Sequence, residues 1–140
     1  MLGLVITDKQ MKKILFFIIG IMALASCKKE APAVGYYAGI AAKGYYDLLL
    51  EGKYDDFVTG HNLPHRIPEG YRQQLVLNAK MFVEQQKEER RGMKRVEVLD
   101  VKVDTAHHVA DVFLSVVYGD STKEQIVVPM IEVENMWKMR

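Results

Sequence analysis

The sequence predicts an α+β fold in which two or three N-terminal helices pack on a four-stranded antiparallel meander. Two observations carry this prediction. Apolar residues recur at helical spacing as far as Arg91, whereas after Gly92 they alternate with a period of two and are rich in β-branched side chains. The segments between the predicted strands are only a few residues long, and such short connections join antiparallel neighbours.

The first 26 residues have the organisation of a secretory signal peptide. Lys12 and Lys13 form a positive region, residues 14–24 form an apolar core, and small residues precede Cys27. The alternative is a transmembrane helix in which Cys27 has no special role. The apolar core has roughly ten residues, whereas a membrane span needs about 20, so it is too short for a permanent transmembrane helix. Met11 begins a more typical signal than the first residue does, and we expect translation to start there.

The tetrad Leu24-Ala25-Ser26-Cys27 resembles the bacterial lipobox. The resemblance implies that Leu24, Ala25 and Ser26 are recognised by the signal peptidase, and that Cys27 is acylated and becomes the new N-terminus. Cys27 is the only cysteine of the chain. Two or more acyl chains hold a protein on a membrane stably. The membrane is therefore the first predicted partner, reached through the lipid on Cys27.

Residues 27–33 are predicted to comprise the lipidated cysteine and a short polar tether that contains Pro32. In some lipoproteins of this kind an acidic run after the cysteine directs surface display, and in others an aspartate in that place favours inner-membrane retention. The run Lys28-Lys29-Glu30 matches neither pattern. The predicted location is the bacterial cell envelope, on the outer membrane facing the periplasm, with surface exposure left open.

The remaining chain, about 114 residues, is enough for one domain with a modest core. The signal peptide removes Asp8 and three lysines from totals of 18 acidic and 19 basic residues, which leaves 17 and 16 and a net charge near −1. This balance predicts no nucleic-acid partner. With Cys27 acylated, no thiol remains for a disulfide or a nucleophile. No phosphate-binding or redox motif occurs, so no cofactor is predicted.

Three helices are predicted before the sheet: residues 34–50, residues 53–59, and a long helix with Pro68 at its first position that ends near Arg91. The charged run at residues 84–91 is predicted to be solvated. The side chains expected to face inward are Tyr37, Ala41, Gly44, Tyr45, Leu48 and Leu49 in the first helix, Tyr54, Phe57 and Val58 in the second, and Tyr71, Leu75, Asn78 or Ala79, and Phe82 in the third.

The first two strands are predicted at residues 94–104 and 108–118, joined by a turn at residues 104–107. Alternation places Leu99 on the same face as Val101 and Val103. Because Val96 and Val98 have the opposite parity, a bulge or a strand buried on both faces is expected near Val98. The second strand is expected to carry Val112, Leu114, Val116 and Tyr118 on one face and Val109, Asp111, Phe113, Ser115 and Val117 on the other.

The last two strands are predicted at residues 122–133 and 136–140. Pro129 lacks an N–H group, which implies an edge register or a bulge in the third strand. Trp137 and Met139 are two residues apart and should share a face of the fourth strand.

The order of three helices followed by a four-stranded meander, with Pro129 in the third strand and Trp137-Lys138 near the end, resembles the nuclear-transport-factor-like (cystatin-like) cone. It is similar in particular to small bacterial lipoproteins of unknown function in which a lipobox precedes this unit. The resemblance covers residues 34–140, taken as a single domain. It implies a curved sheet that wraps the long helix, a cone mouth that can hold a ligand, and a possible homodimer through the outer sheet face.

The residues that could line such a pocket are Tyr45, His61, Tyr71 and Tyr118. Enzymes with this cone move protons with an Asp, His or Tyr side chain, and Asp56 is a further candidate, but no acid–base pair is evident from the spacing. His61 and His65 are four residues apart, a metal-binding spacing only in a helix, and Pro64 lies between them. No catalytic residue and no metal site are predicted.

The sequence thus predicts a membrane-anchored lipoprotein that acts as a non-catalytic binding or assembly module in the cell envelope. The alternative is an enzyme that acts on a small apolar substrate held in the cone cavity. A further alternative is a modulator of envelope machinery that uses the charged end of the long helix. The identity of a small-molecule ligand does not follow from the sequence.

Overall fold

Three helices precede a four-stranded sheet in the computed structural model, which describes residues 33–140. The helices are α1 (Tyr36–Leu50), α2 (Tyr54–Thr59) and α3 (Glu69–Arg90), and the strands are β1 (Met93–Asp104), β2 (Val109–Tyr118), β3 (Lys123–Val133) and β4 (Met136–Met139). The predicted α+β class and element order are confirmed. The signal peptide (1–26), Cys27 and all of the tether but residue 33 lie outside the described residues.

The strands form one antiparallel sheet in the order β1-β2-β3-β4. The predicted bulge is present, because the β1–β2 register shifts between Val98 and Asp100. The extra residue reverses the parity of the strand, so Val96, Val101 and Val103 face the helices while Leu99 is 54% exposed. The expectation that Leu99 shares a face with Val101 was therefore wrong, because alternation was counted through the bulge.

Strand β2 lies at the centre of the core and shows the predicted alternation. The side chains on its inner face, Ala110, Val112, Leu114, Val116 and Tyr118, are all buried. Two residues of its outer face, Ser115 and Val117, are also buried. Val117 pairs with Arg95 on β1 and Lys123 on β3, and Ser115 pairs with Glu97 and Gln125, so long polar neighbours flank both on the outer face.

Helix α1 packs on the sheet through a face rotated from the predicted one. Ala38 and Ala42 are fully buried, whereas Tyr37 is 63% exposed and Gly44 faces open space. The small residues allow a close approach, since a Cβ atom built on Gly39 would lie 3.1 Å from the Val101 side chain. The prediction that Tyr37 and Gly44 face inward was wrong, because close packing on the sheet selected the small side chains of Ala38 and Ala42 over Tyr37, and the resulting rotation of the helix places Gly44 on the outer side.

Helix α3 begins one residue after Pro68, which precedes the first turn with ψ near 141°. It ends where predicted: Arg91 and Gly92 both have positive φ, and the Gly92 N–H donates to the Gln86 carbonyl at 2.9 Å. Of its 22 residues only Ala79, Val83 and Gln86 are buried. Within residues 33–140 no helix has the length and apolar character required to cross a membrane.

Pro129 occupies a register in which its missing N–H costs no ladder hydrogen bond. The β3–β4 pairing runs from Val133–Met136 to Met130–Met139, so Pro129 lies just beyond its end. The Arg140 N–H donates to the Pro129 carbonyl at 2.9 Å. The backbone nitrogen and carbonyl of Pro129 therefore point towards β4 and not towards β2. Strand β3 is locally an edge at Pro129, as the absent donor implied.

The segment after α2 covers the free edge of β4. The Met139 N–H donates to the Gly60 carbonyl at 2.8 Å, and the Asn62 N–H donates to the Met139 carbonyl at 2.7 Å. The Tyr45 hydroxyl donates to the Trp137 carbonyl at 2.7 Å. These contacts join α1, the end of α2 and β4, and they protect an edge that would otherwise expose unpaired backbone groups.

Gly60 should be the glycine most sensitive to substitution at this junction. Its φ of −68° suits any residue, but an alanine Cβ would lie 2.6 Å from Cε1 of the Tyr45 ring. We expect Gly60→Ala to lower the free energy of unfolding by about 1–3 kcal/mol through overpacking. Urea denaturation measures the change.

Gly44→Ala is the matched control, because a Cβ at Gly44 meets no atom within 4 Å and the residue lies inside α1. It should raise the free energy of unfolding by roughly 0.8–1.0 kcal/mol. Equal effects of the two substitutions would contradict the proposed contact between Gly60 and Tyr45.

Candidate functional site

A cleft of about 430 Å³ opens between the three helices, and we call it the helical cleft. Most of its wall is apolar or aromatic. Its lining residues are Tyr46, Leu49, Phe57, Val58, His61, Leu63, Tyr71, Leu75, Asn78, Ala79 and Phe82. The inward stripe predicted for the long helix is therefore real, but Tyr71 and Phe82 remain about half exposed because the stripe faces a cleft.

His61 is held in one tautomer by the end of α2. Its Nδ1 lies 3.1 Å from the Phe57 carbonyl and 3.3 Å from the Val58 carbonyl, and a carbonyl oxygen can only accept. Nδ1 must therefore carry the proton, and in the neutral ring Nε2 is left as an acceptor. The ring also packs edge-on against Phe57, with 5.1 Å between centroids. His61 thus offers one oriented polar atom beside an apolar wall.

Asn78 supplies the second oriented polar group of the helical cleft. Its Oδ1 accepts a hydrogen bond from Gln74 Nε2 at 2.8 Å, one turn earlier on α3. The amide NH₂ of Asn78 has no partner among the described residues and remains a donor. A ligand that accepts from Asn78 and donates to His61 could be oriented between α2 and α3.

A second cleft, of about 320 Å³, lies between the C-terminal half of α3 and the inner face of the sheet, and we call it the polar cleft. Its lining residues are Tyr46, Phe82, Gln86, Glu89, Arg90, Met93, Val116, Tyr118, Glu124 and Ile126. Tyr46 and Phe82 line both clefts, which are therefore adjacent. Burial raises the pKa of Tyr46, so its hydroxyl stays protonated in this wall.

Tyr118 and Arg90 are both bound to Glu124 in the polar cleft. The Tyr118 hydroxyl donates to Glu124 Oε2 at 2.7 Å, and Arg90 Nη1 donates to the same oxygen at 3.0 Å. The Arg90 guanidinium also lies 4.5 Å from the Tyr118 ring centroid. Burial, and then the hydrogen bond to the Glu124 carboxylate, raise the pKa of Tyr118 to about 12. Tyr118 is thus a neutral donor rather than a proton-transfer group near neutral pH.

The four residues predicted to line a pocket fall into three places. His61 and Tyr71 line the helical cleft, and Tyr118 lines the polar cleft. Tyr45 lines neither, because its hydroxyl is bound to the Trp137 carbonyl. In residues 33–140 no group of three His, Cys, Asp or Glu side chains could hold a metal ion.

Tyr46 and Gln86 are two of the lining residues that the sequence did not predict. Tyr46 was missed because the face of α1 was placed one residue away, on Tyr45. Gln86 was missed because it lies in the charged run predicted to be solvated, yet it is buried. The one available signal was its position, which follows Ala79 and Val83 by seven and three residues and so continues their stripe.

The comparisons with known proteins support the fold. No family model matches the chain, and no curated protein matches it. One solved structure is similar, that of a Campylobacter jejuni protein named a "putative NTF2-like transpeptidase". It shares 12% sequence identity, with a TM-score of 0.57, over 70% of this chain and 92% of that one. The predicted nuclear-transport-factor-like fold is confirmed at the level of architecture.

Proposed function

We propose that this chain is a lipid-anchored protein of the bacterial cell envelope whose helical cleft binds a small, largely apolar molecule without transforming it. The observation that carries the proposal is the composition of that cleft. About 430 Å³ of space is walled by aliphatic and aromatic side chains and holds two oriented polar groups, His61 and Asn78. Such a wall, with few polar groups, is typical of small-molecule sites.

The composition of the cleft also favours binding over catalysis. Among the described residues that line it there is no Asp, Glu, Ser, Thr or Cys. The titratable groups beside His61 are Tyr46 and Tyr71, and burial raises the pKa of Tyr46, which keeps that hydroxyl protonated. Acyl transfer of the transpeptidase kind named for the similar structure needs an activated nucleophile. The alternative of an enzyme on a small apolar substrate depends on Nε2 of His61 as the base, with a tyrosine hydroxyl of the same wall as the acid.

Two features support the lipid anchor: the signal-like sequence of residues 11–27, and the short distance along the chain between Cys27 and the folded domain. The lipobox cysteine stands nine residues before α1, which begins at Tyr36. A module held so close to a membrane would act at its surface, and the outer membrane facing the periplasm is the proposed location. Cell-surface display would serve the same function on the other side of that membrane.

A homodimer through the outer sheet face is the proposed assembly. Leu99 and Val127 are exposed on β1 and β3. The face between them is partly covered, however, by the Arg95–Glu97 ion pair and by Lys102, whose Nζ lies 5.3 Å from the Phe113 ring centroid. Ligand binding in the helical cleft therefore stands as the main function and does not require the dimer.

Filling the helical cleft should abolish binding of an apolar probe. Ala79 is buried in its wall, and Ala79→Leu adds three carbons there. We expect Nile red to bind the wild-type protein and to bind this variant at least tenfold more weakly, measured by fluorescence titration. Ala106→Leu, in the exposed β1–β2 turn, is the matched control and should bind the dye as wild type does.

Urea denaturation must show that Ala79→Leu is folded, and Leu75→Trp is a second way to fill the cleft. Unchanged dye affinity in a folded variant of either kind would contradict the assignment of the helical cleft as the binding site.

Acylation of Cys27 is the second testable part of the proposal. Cells that produce the Cys27→Ser variant should incorporate no labelled palmitate into it, and the precursor should stay unprocessed, because the hydroxyl does not replace the acylated thiol. Ser26→Ala keeps a small residue before the cysteine and should be labelled normally. Labelling of the Cys27→Ser variant would exclude the lipobox assignment.

A further inference from the structure

Gln86 is a buried polar side chain with no hydrogen-bond partner among the residues that the structure describes. Only 8% of its surface is exposed, and its side-chain amide forms no hydrogen bond within residues 33–140. Across the same residues no side-chain nitrogen or oxygen is both inaccessible and unpaired. The amide of Gln86 must therefore reach open space, and the space it lines is the polar cleft. Water in the cleft can pair with this amide, so a ligand that displaces the water must supply a group that pairs with the amide instead.

The charges around Gln86 select an uncharged ligand group. Arg90 and Glu124 form an ion pair at 3.0 Å, and the Tyr118 hydroxyl already donates to Glu124. Glu89 is exposed and accepts a hydrogen bond from Gln85 at 2.9 Å. An anionic group would meet Glu89 and Glu124 with Arg90 already paired, and an ammonium group would gain only the exposed Glu89 carboxylate, whose charge is screened by water. A group that both donates and accepts, as the Gln86 amide does, would be matched without needing a counterion.

We propose that the polar cleft binds the amide group of a ligand whose apolar part occupies the helical cleft, with Gln86 pairing with that amide. Tyr46 and Phe82 line both clefts, so the two spaces are adjacent, and an elongated molecule that fills both must displace these two side chains. This inference rests on the proposed function, because it assigns a head group to the molecule bound there. The ligand class is an uncharged amide on an aliphatic or aromatic body.

Three probes of equal chain length separate the possibilities: decanamide, decanoate and decylamine. Displacement of Nile red should show decanamide binding at least tenfold more tightly than either charged probe, since one paired amide contributes about that factor. Gln86→Met keeps the volume and removes the amide, and it should bind Nile red normally while losing the preference for decanamide. Gln86→Glu should shift the preference towards decylamine.

The outcomes are distinguishable. If the wild-type protein does not bind Nile red, the proposed function fails. If it binds Nile red but shows no preference for decanamide, or if Gln86→Met keeps that preference, the assignment of the amide site fails and the helical cleft stands.

A second, independent observation concerns the start of the domain. The side chains of Val34, Tyr36, Tyr37 and Ile40 are 73%, 52%, 63% and 50% exposed, and we call them the anchor-proximal patch. No charged residue occurs between Glu30 and Lys43. The Tyr36 and Tyr37 rings contact each other edge-on, with 5.5 Å between centroids. A cluster of exposed apolar side chains next to a lipidation site needs a partner.

We infer that the anchor-proximal patch docks on the lipid surface that holds Cys27, an inference that also rests on the proposed lipid anchor. The six residues from Lys28 to Ala33 can span at most about 20 Å when fully extended, so the patch cannot move far from the acyl chains. Tyrosine suits the boundary between lipid and water because its ring is apolar and its hydroxyl polar. The absence of charge in residues 31–42 removes the main cost of entering that boundary.

The test uses the full lipidated protein in phosphatidylcholine–phosphatidylglycerol vesicles. Acylated Cys27 leaves no free thiol, so Ile40→Cys can be labelled with a fluorophore, and Glu84→Cys on exposed α3 is the control. Iodide quenching should fall several-fold in vesicles at position 40 and stay unchanged at position 84. Equal quenching at both positions in a palmitate-labelled protein would overturn the docking while leaving the lipid anchor intact.

Discussion

The close packing of α1 on the inner face of the sheet is the constraint on which the rest of the structure depends. Ala38, Gly39 and Ala42 allow the helix to approach β1 until Val101 is in contact. That approach fixes the rotation of α1 and so turns Tyr46 towards α3, where it lines both clefts. It also turns Tyr36 and Tyr37 outward. A single choice of small side chains thus sets both the interior and the exposed surface at the start of the domain.

The clefts exist because α3 packs on the other elements through few residues. Three of its 22 residues are buried, and the aromatic side chains Tyr71 and Phe82 stand half exposed. In a tightly packed core such side chains would interlock with neighbours. Here Tyr71 lines the helical cleft, and Phe82 lines both clefts. The two clefts differ in chemistry because α1 and α2 form the wall opposite α3 in the helical cleft, whereas the sheet forms it in the polar cleft.

Polar side chains of the two clefts are held in place by hydrogen bonds to the backbone and to a carboxylate. The carbonyls of Phe57 and Val58 fix the His61 tautomer, and Glu124 holds both Tyr118 and Arg90. An exposed ion pair such as Arg90–Glu124 contributes little to stability. Its effect is local, because it pairs the one cation among the described residues of the polar cleft with Glu124 beside the buried Gln86 amide.

The sequence by itself determined the order of the elements, the faces of β2 and the end of α3 at Gly92. It also limited β1 near Val98 to a bulge or a strand buried on both faces, and Pro129 to an edge register or a bulge; the structure has the bulge and the edge register. Each follows from a local rule: residue periodicity, a positive φ or a missing N–H. Tertiary structure decided the rotation of α1, the outward turn of Leu99 and the burial of Gln86. These depend on how closely two surfaces approach and on where one extra residue changes parity. Neither the distance between two packed surfaces nor the position of an extra residue follows from local sequence. The sequence analysis therefore placed Tyr45 in the pocket, whereas the structure places Tyr46 there.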